Sequence, residues 1–185
     1  DGIQALTLEN GAIAQIRDND FLNNRIGVYI PPGSTESQDI DVPEFEGNRF
    51  ETVGDGLKTP FAGQKALAGV WIYGVRDLQI GISDANENSF AKLYNGVVAF
   101  NSNLSVKNSF FEGIHQETGA NAPAFSGYGI YSVGNTAYYR LLDVKGLGKY
   151  GTPVFRDCAT AIFTDKMAAY IEHCNMEQVQ QGIHL

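Results

Sequence analysis

Apolar residues recur along the chain in short alternating clusters rather than in long helical stripes. Segments such as Ala14-Gln15-Ile16-Arg17 and Val42-Pro43-Glu44-Phe45 alternate with period two, the signature of short, half-buried strands; little of the chain keeps the 3.6-residue rhythm of an amphipathic helix. A tetrad led by a small residue recurs at Gly2-Ile3-Gln4-Ala5, Gly27-Val28-Tyr29-Ile30, Gly69-Val70-Trp71-Ile72, Gly96-Val97-Val98-Ala99, Gly129-Ile130-Tyr131-Ser132, Ala161-Ile162-Phe163-Thr164 and Gly182-Ile183-His184-Leu185. The steps are 25, 42, 27, 33, 32 and 21 residues. Self-similarity of this kind marks a repeat architecture, in which each unit buries its apolar face only by stacking on its neighbours.

Two further marks keep the same register. A Phe or Met stands six positions ahead of the small residue at Phe21, Phe90, Phe155 and Met176, while Phe50 and Phe110 are separated from their tetrads by extra residues. Insertions at a fixed corner, over residues 31–44, 58–68 and 114–128, would account for the uneven steps. Two positions before that large residue lie Asn19, Asn48, Asn88, Asn108, Pro153 and Cys174. Asn tolerates the left-handed backbone of a tight corner, and stacked amides hydrogen-bond from one repeat to the next. The pattern predicts an all-β parallel β-helix with three short strands per turn; a leucine-rich repeat would require a Leu pattern that is absent.

Residues 16–30 and 171–185 resemble coils of right-handed β-helix repeat proteins of the pectin-lyase-like superfamily, and the resemblance extends over nearly the whole chain. It implies a right-handed parallel β-helix (solenoid) of about six to seven coils with loop insertions, residues 1–185 forming a single domain. It leaves activity open, because the superfamily includes polysaccharide lyases and hydrolases, phage tailspikes and segments of large bacterial surface or secreted proteins. The chain opens and closes on a tetrad with no capping helix, so the expectation is a fragment of a longer β-helix, or one whose ends a partner covers.

Composition narrows the partners. A formal charge of −8 with no basic run argues against nucleic acid. No stretch approaches the roughly 18 uninterrupted apolar residues of a membrane span, so no membrane insertion is expected. An extracellular or cell-surface location is the expectation that goes with the resemblance.

Candidate chemistry is sparse. If Val28 and Ile30 point inward, the third tetrad residue points outward, building a column of Gln4, Tyr29, Trp71, Val98, Tyr131, Phe163 and His184. Tyr29, Trp71, Tyr131, Phe163 and His184 are then candidates for a partner or sugar-binding surface, unless the insertions fold over them. Lys92, Glu112 and Asp157 fall two positions after the large residue, and as neighbours on successive coils they are the weak catalytic candidates of a lyase or glycosidase; an ordinary charged face accounts for them equally.

The paired Asp-Asp and Gly-His-Gly motifs that the resemblance associates with polygalacturonases do not occur, and the enzyme reading is correspondingly weaker. His115, His173 and His184 show no metal-ligand spacing. Glu36, Asp39, Asp41 and Glu44 form a loop acidic enough for a loosely bound Ca²⁺, without the spacing of a calcium loop. Gly146-Leu147-Gly148-Lys149-Tyr150-Gly151 matches a dinucleotide fingerprint by letters, but Thr152-Pro153 bars the helix it needs. Asn103-Leu104-Ser105 is a formal glycosylation sequon, and Cys158 and Cys174 sit too far out of register for a disulfide. The leading expectation is a non-catalytic scaffold or contact surface in a larger assembly, with other chains or its own longer chain as partner. A polysaccharide-active enzyme or a glycan-binding adhesion module is the alternative.

Overall fold

The structure is a computed structural model that describes residues 4–33, 37–82, 86–118, 122–123, 125–135, 137, 139–145 and 155–185. Among these residues there is no helix, and every strand pairing is parallel. Among the described residues no helix is therefore long and apolar enough to cross a membrane.

The strands visit three walls in rotation. The first wall is a seven-stranded sheet of β1 (Gln4–Thr7), β4 (Ile26–Ile30), β7 (Ala68–Tyr73), β10 (Asn95–Phe100), β13 (Tyr128–Val133), β16 (Thr160–Asp165) and β19 (Gln181–His184). The second consists of a pair, β2 (Ile13–Arg17) with β5 (Asp41–Glu46), and a four-stranded sheet of β8 (Leu78–Ile80), β11 (Leu104–Lys107), β14 (Leu141–Lys145) and β17 (Ala168–Glu172). The third is six-stranded: β3 (Asp20–Leu22), β6 (Arg49–Glu51), β9 (Asn88–Ala91), β12 (Ser109–Ile114), β15 (Phe155–Cys158) and β18 (Met176–Glu177). Except between β5 and β8, where the second wall is interrupted, each strand pairs with its counterpart one circuit later, an arrangement compatible with a parallel β-helix.

The repeat marks are explained by what fills the interior. Phe21, Phe50, Phe90, Phe111 and Phe155 stack with centroids 4.6 to 4.8 Å apart and planes within 9°, and Met176 continues the column beside Phe155. Each buried ring removes a large apolar surface from water, and each stacked pair adds about 0.5–1.5 kcal/mol beyond burial. The small tetrad residue makes room for this ladder. A Cβ on Gly27, Gly69, Gly96 or Gly129 would sit 2.6–2.7 Å from the ring of Phe50, Phe90, Phe111 or Phe155 on the same circuit. Where the ladder ends in flexible Met176, the small residue is Ala161.

Asn19, Asn48 and Asn88 form the expected amide ladder. Asn48 Oδ1 accepts from the Asn19 backbone and side chain, and Asn88 Oδ1 accepts from both nitrogens of Asn48. Asn48 Nδ2 also donates to the Ile16 carbonyl at 2.7 Å. The left-handed residue, however, is the one before the ladder, at Asp18, Gly47, Asn108 and His173; the Asn residues serve as hydrogen-bonding rungs, and at Asn19 and Asn48 the corner is turned by the predecessor.

Other registers also differ from the sequence expectation. In the fourth circuit Phe111, not Phe110, pairs with Phe90, and Ser109, not Asn108, pairs with Asn88. A Phe-Phe dipeptide reads equally well in both frames, and burial selects the frame that puts Phe111 inside and leaves Phe110 against Arg156. At the start, Leu6 pairs with Val28 and Thr7 with Tyr29, so Gln4 is not in the outer column; Gly2 and Ile3 lie outside the described residues. The insertions occupy more than one corner, since residues 31–40 and 134–140 leave the first wall whereas 52–67 and 115–127 enter it.

Candidate functional site

The outer face of the seven-stranded sheet carries the ring column in register. Tyr29 pairs with Trp71, Trp71 with Val98, Val98 with Tyr131, Tyr131 with Phe163 and Phe163 with His184. Tyr29, Trp71, Tyr131 and Phe163 are half-buried and His184 is exposed, while Val98 is fully buried.

Between Trp71 and Tyr131, the two neighbours of Val98 in the column, stands Phe125, delivered by the insertion between β12 and β13. Its ring lies 5.6 Å from Trp71 and 4.9 Å from Tyr131, close to the repeat of the strands themselves. Phe125 therefore fills the place in the column where a side chain from the sheet is missing. With Tyr131–Phe163 at 4.9 Å and Phe163–His184 at 4.8 Å, the rings run without a gap from Trp71 to His184. Tyr73 and Phe100, stacked 4.9 Å apart, form a second row beside them.

The insertion is held down at several points. Gly127 N donates to the Tyr94 carbonyl, Asn95 Nδ2 donates to the Phe125 carbonyl, and Glu117 meets Lys65 of the neighbouring insertion at 2.6 Å. Sequence reasoning passed over Phe125 because no register connects it to the tetrads; the available signal was the aliphatic Val98 in an otherwise aromatic run, one circuit before a ring-bearing insertion.

The stacking decides which part of each ring meets solvent. Tyr131 and Phe163 lie 7° from parallel and Tyr73 and Phe100 15°, so within each pair one flat face of each ring is taken up by the other. A sugar stacking on this surface would need the faces. Burial pushes the phenols of Tyr29 and Tyr131 above their ordinary range, helped by Tyr73 in the first case and by Tyr128 and Asp165 in the second.

The charged candidates lie on the six-stranded wall and do not converge. Glu112 pairs in register with Ala91 and Arg156, which leaves Gly113, not Glu112, level with Lys92 and Asp157. The one-residue shift at Phe111 is the cause. Lys92 Nζ bonds Glu51 at 2.9 Å, Arg156 bridges Glu112 at 3.5 Å and Glu177 at 3.1 Å, and Asp157 meets His115 Nε2 at 2.9 Å. Burial pushes the Glu51 carboxyl up, but hydrogen bonds from Lys92 and Arg49 outweigh it and hold the group below its ordinary range. The same pairings raise Lys92, Arg49 and Arg156. This wall is a ladder of matched charges.

The acidic segment is likewise divided. Glu44 binds Arg17 at 2.9 Å and Asp39 lies 3.9 Å from Arg76, while Asp39, Asp41 and Asp77 line an open cleft of about 450 Å³ with Ile13 and Ile40; Glu36 lies outside the described residues. Among the described residues no three His, Cys, Asp or Glu side chains are grouped to hold a metal ion. Asn103 Nδ2 donates to the Arg76 carbonyl at 2.6 Å and its Oδ1 accepts from Leu141 N, so the sequon amide is a staple between circuits. Neither Cys158 nor Cys174 forms a disulfide. The Gly146–Gly151 fingerprint and Pro153 lie outside the described residues.

No protein-family model, curated protein or solved structure matches the chain.

Proposed function

We propose that the chain is a right-handed parallel β-helix of about six coils, of the pectin-lyase-like kind. It serves as a rigid, non-catalytic scaffold in a secreted or cell-surface protein, with the aromatic face of the seven-stranded sheet as its contact surface. The observation that carries this reading is Phe125. A ring supplied from an insertion to close the one gap in the column makes the continuous aromatic strip the distinctive feature of the surface, and half-buried aromatic residues are the residue class enriched in protein contacts. Ring faces taken up by stacking on one another favour a protein surface over a stacked glycan.

The polysaccharide-active alternative rests on Lys92, Glu112 and Asp157, and each of these already has a partner of its own, Glu51, Arg156 and His115 respectively. Trp71 is the single tryptophan, so its emission reports the aromatic face directly. Acrylamide should quench it, and oligogalacturonides and cello-oligosaccharides at millimolar concentration should leave it unchanged. The same substrates should yield neither new reducing ends nor unsaturated products. Turnover abolished by Lys92→Ala would replace the scaffold reading with the enzymatic one.

A further inference from the structure

We infer that Arg25, at the corner leading into β4, is a binding site for a single carboxylate, of the kind an Asp or Glu side chain of a protein partner presents. The site lies apart from the ring column, since Arg25 precedes Tyr29 by four residues, about 13 Å of extended strand. It adds a charged anchor beyond the aromatic contact surface and is tested independently of it.

The first observation is an imbalance of charge. The chain carries 21 Asp and Glu against 13 Lys and Arg, and Arg17, Arg49, Arg76 and Arg156 each reach a carboxylate, at 2.9, 2.7, 3.9 and 3.1 Å. Among the described residues Arg25 reaches none. A guanidinium has five N–H donors, and the protein acceptor here is Gln64 Oε1, at a long 3.4 Å. Arg25 is nonetheless half-buried. Burial lowers it below its ordinary range, and the phenol of Tyr94 is the group that opposes this. A cation drawn partly out of water without a counter-charge gains more from a carboxylate than a fully solvated one does.

The second observation is that the group is held in place. Arg25 Cζ lies 3.8 Å from the centroid of the Phe61 ring, a contact through the ring face that leaves the edge of the guanidinium fork for another partner. The insertion carrying Phe61 and Gln64 is tied to Arg25 itself, since Leu67 N donates to the Arg25 carbonyl at 2.7 Å. Lys65 of the same insertion is tied to Glu117 at 2.6 Å. The fork is therefore ordered before a ligand arrives, and less side-chain freedom remains to be lost on binding. A planar fork of this kind pairs with both oxygens of one carboxylate. A dianionic phosphate would instead meet the field of a chain with a formal charge of −8.

The test is a nuclear magnetic resonance titration of the isotope-labelled chain with N-acetyl-glutamate N-methylamide at constant ionic strength. It is followed on the Arg25 Nε–Hε signal, which Arg25→Lys identifies by removing it, and on the backbone amides of Phe61 and Gln64. The expected result is a saturable shift of all three with a Kd of about 1–10 mM, while the neutral glutamine analogue and inorganic phosphate leave them in place. Arg25→Lys keeps the charge but loses the fork, and should weaken binding at the two amides at least about tenfold. Phe61→Leu removes the ring that positions the fork and should weaken binding about two- to fivefold.

No saturable shift up to about 100 mM glutamate analogue overturns the site, and does so in the unmodified chain, where folding is not in question. Equal shifts from the glutamine analogue, or tighter binding of phosphate, overturn the assignment to a carboxylate. Undiminished binding to Arg25→Lys overturns it as well, by showing a diffuse charge effect rather than recognition by the fork. None of these results bears on the ring column, which Trp71 emission tests separately.

Discussion

Replacing Asn48 with Ala probes the amide ladder at its centre. Asn48 is 1 % exposed, and its side chain makes four hydrogen bonds: two accepted from Asn19, one donated to the Ile16 carbonyl and one donated to Asn88 Oδ1. Asn88 keeps the bond from the Asn48 backbone, and the donors of exposed Asn19 recover water. The enclosed Ile16 carbonyl keeps the strand bond from Glu46 N that the parallel pairing of Arg17 with Glu46 supplies and loses its second donor, at about 0.5–1.5 kcal/mol. With the losses at Asn19 and Asn88, the expected destabilisation is about 2–3 kcal/mol, or a fall of roughly 5–9 °C in Tm for a chain of this size.

Urea denaturation followed by far-ultraviolet circular dichroism and by Trp71 emission measures it, two probes being needed because repeat proteins can unfold in stages. Asn10→Ala is the control, since Asn10 is exposed and accepts one bond from Asp39 N; it should cost under about 1 kcal/mol. Asn48→Asp keeps the acceptor for Asn19 but sets a second oxygen against the Ile16 carbonyl and Asn88 Oδ1, so its destabilisation at pH 7 should ease when the carboxyl is protonated. If Asn48→Ala lies within 1 kcal/mol of the Asn10→Ala control, the ladder is not a stabilising device and the reasoning fails.

Gly69→Ala should destabilise by about 1–3 kcal/mol through overpacking against Phe90, and Phe90→Leu in the same chain should return part of that loss; additive losses in a double-mutant cycle would sink the steric account. Because the Glu51 carboxyl is held below its ordinary range, its contribution is fully present above about pH 4.5 and is lost as pH falls through its lowered folded-state value; Glu51→Gln should flatten that limb of the stability–pH curve, and an unchanged curve would contradict it. Burial pushes the Cys158 thiol up to about 12, so iodoacetamide at pH 8 should modify Cys174 in the folded protein and reach Cys158 only after denaturation, as peptide mass mapping would show.

Much of this architecture was legible in one dimension because strands stacked in parallel register repeat their environment. The Phe ladder, the glycine facing each ring and the Asn rungs all recur at spacings set by a single circuit, so residues such as Phe21, Phe90 and Phe155 announce the same interior slot. The outer column from Tyr29 to His184 followed from strand alternation alone.

The register of the fourth circuit did not, since Phe110 and Phe111 are equivalent letters until the interior accepts one of them. With that slip went the alignment of Glu112 with Lys92 and Asp157, because a one-residue shift turns every side chain of a strand to the opposite face. Partner choice on the charged wall was also beyond the sequence. Lys92 finds Glu51 41 residues away and Asp157 finds His115 across a circuit, and insertions of uneven length decide which coils bring such groups together. Phe125 is the clearest case: the sequence places it in a loop, and the tertiary fold returns that loop to the sheet above Val98, where packing turns a loop residue into a member of the column.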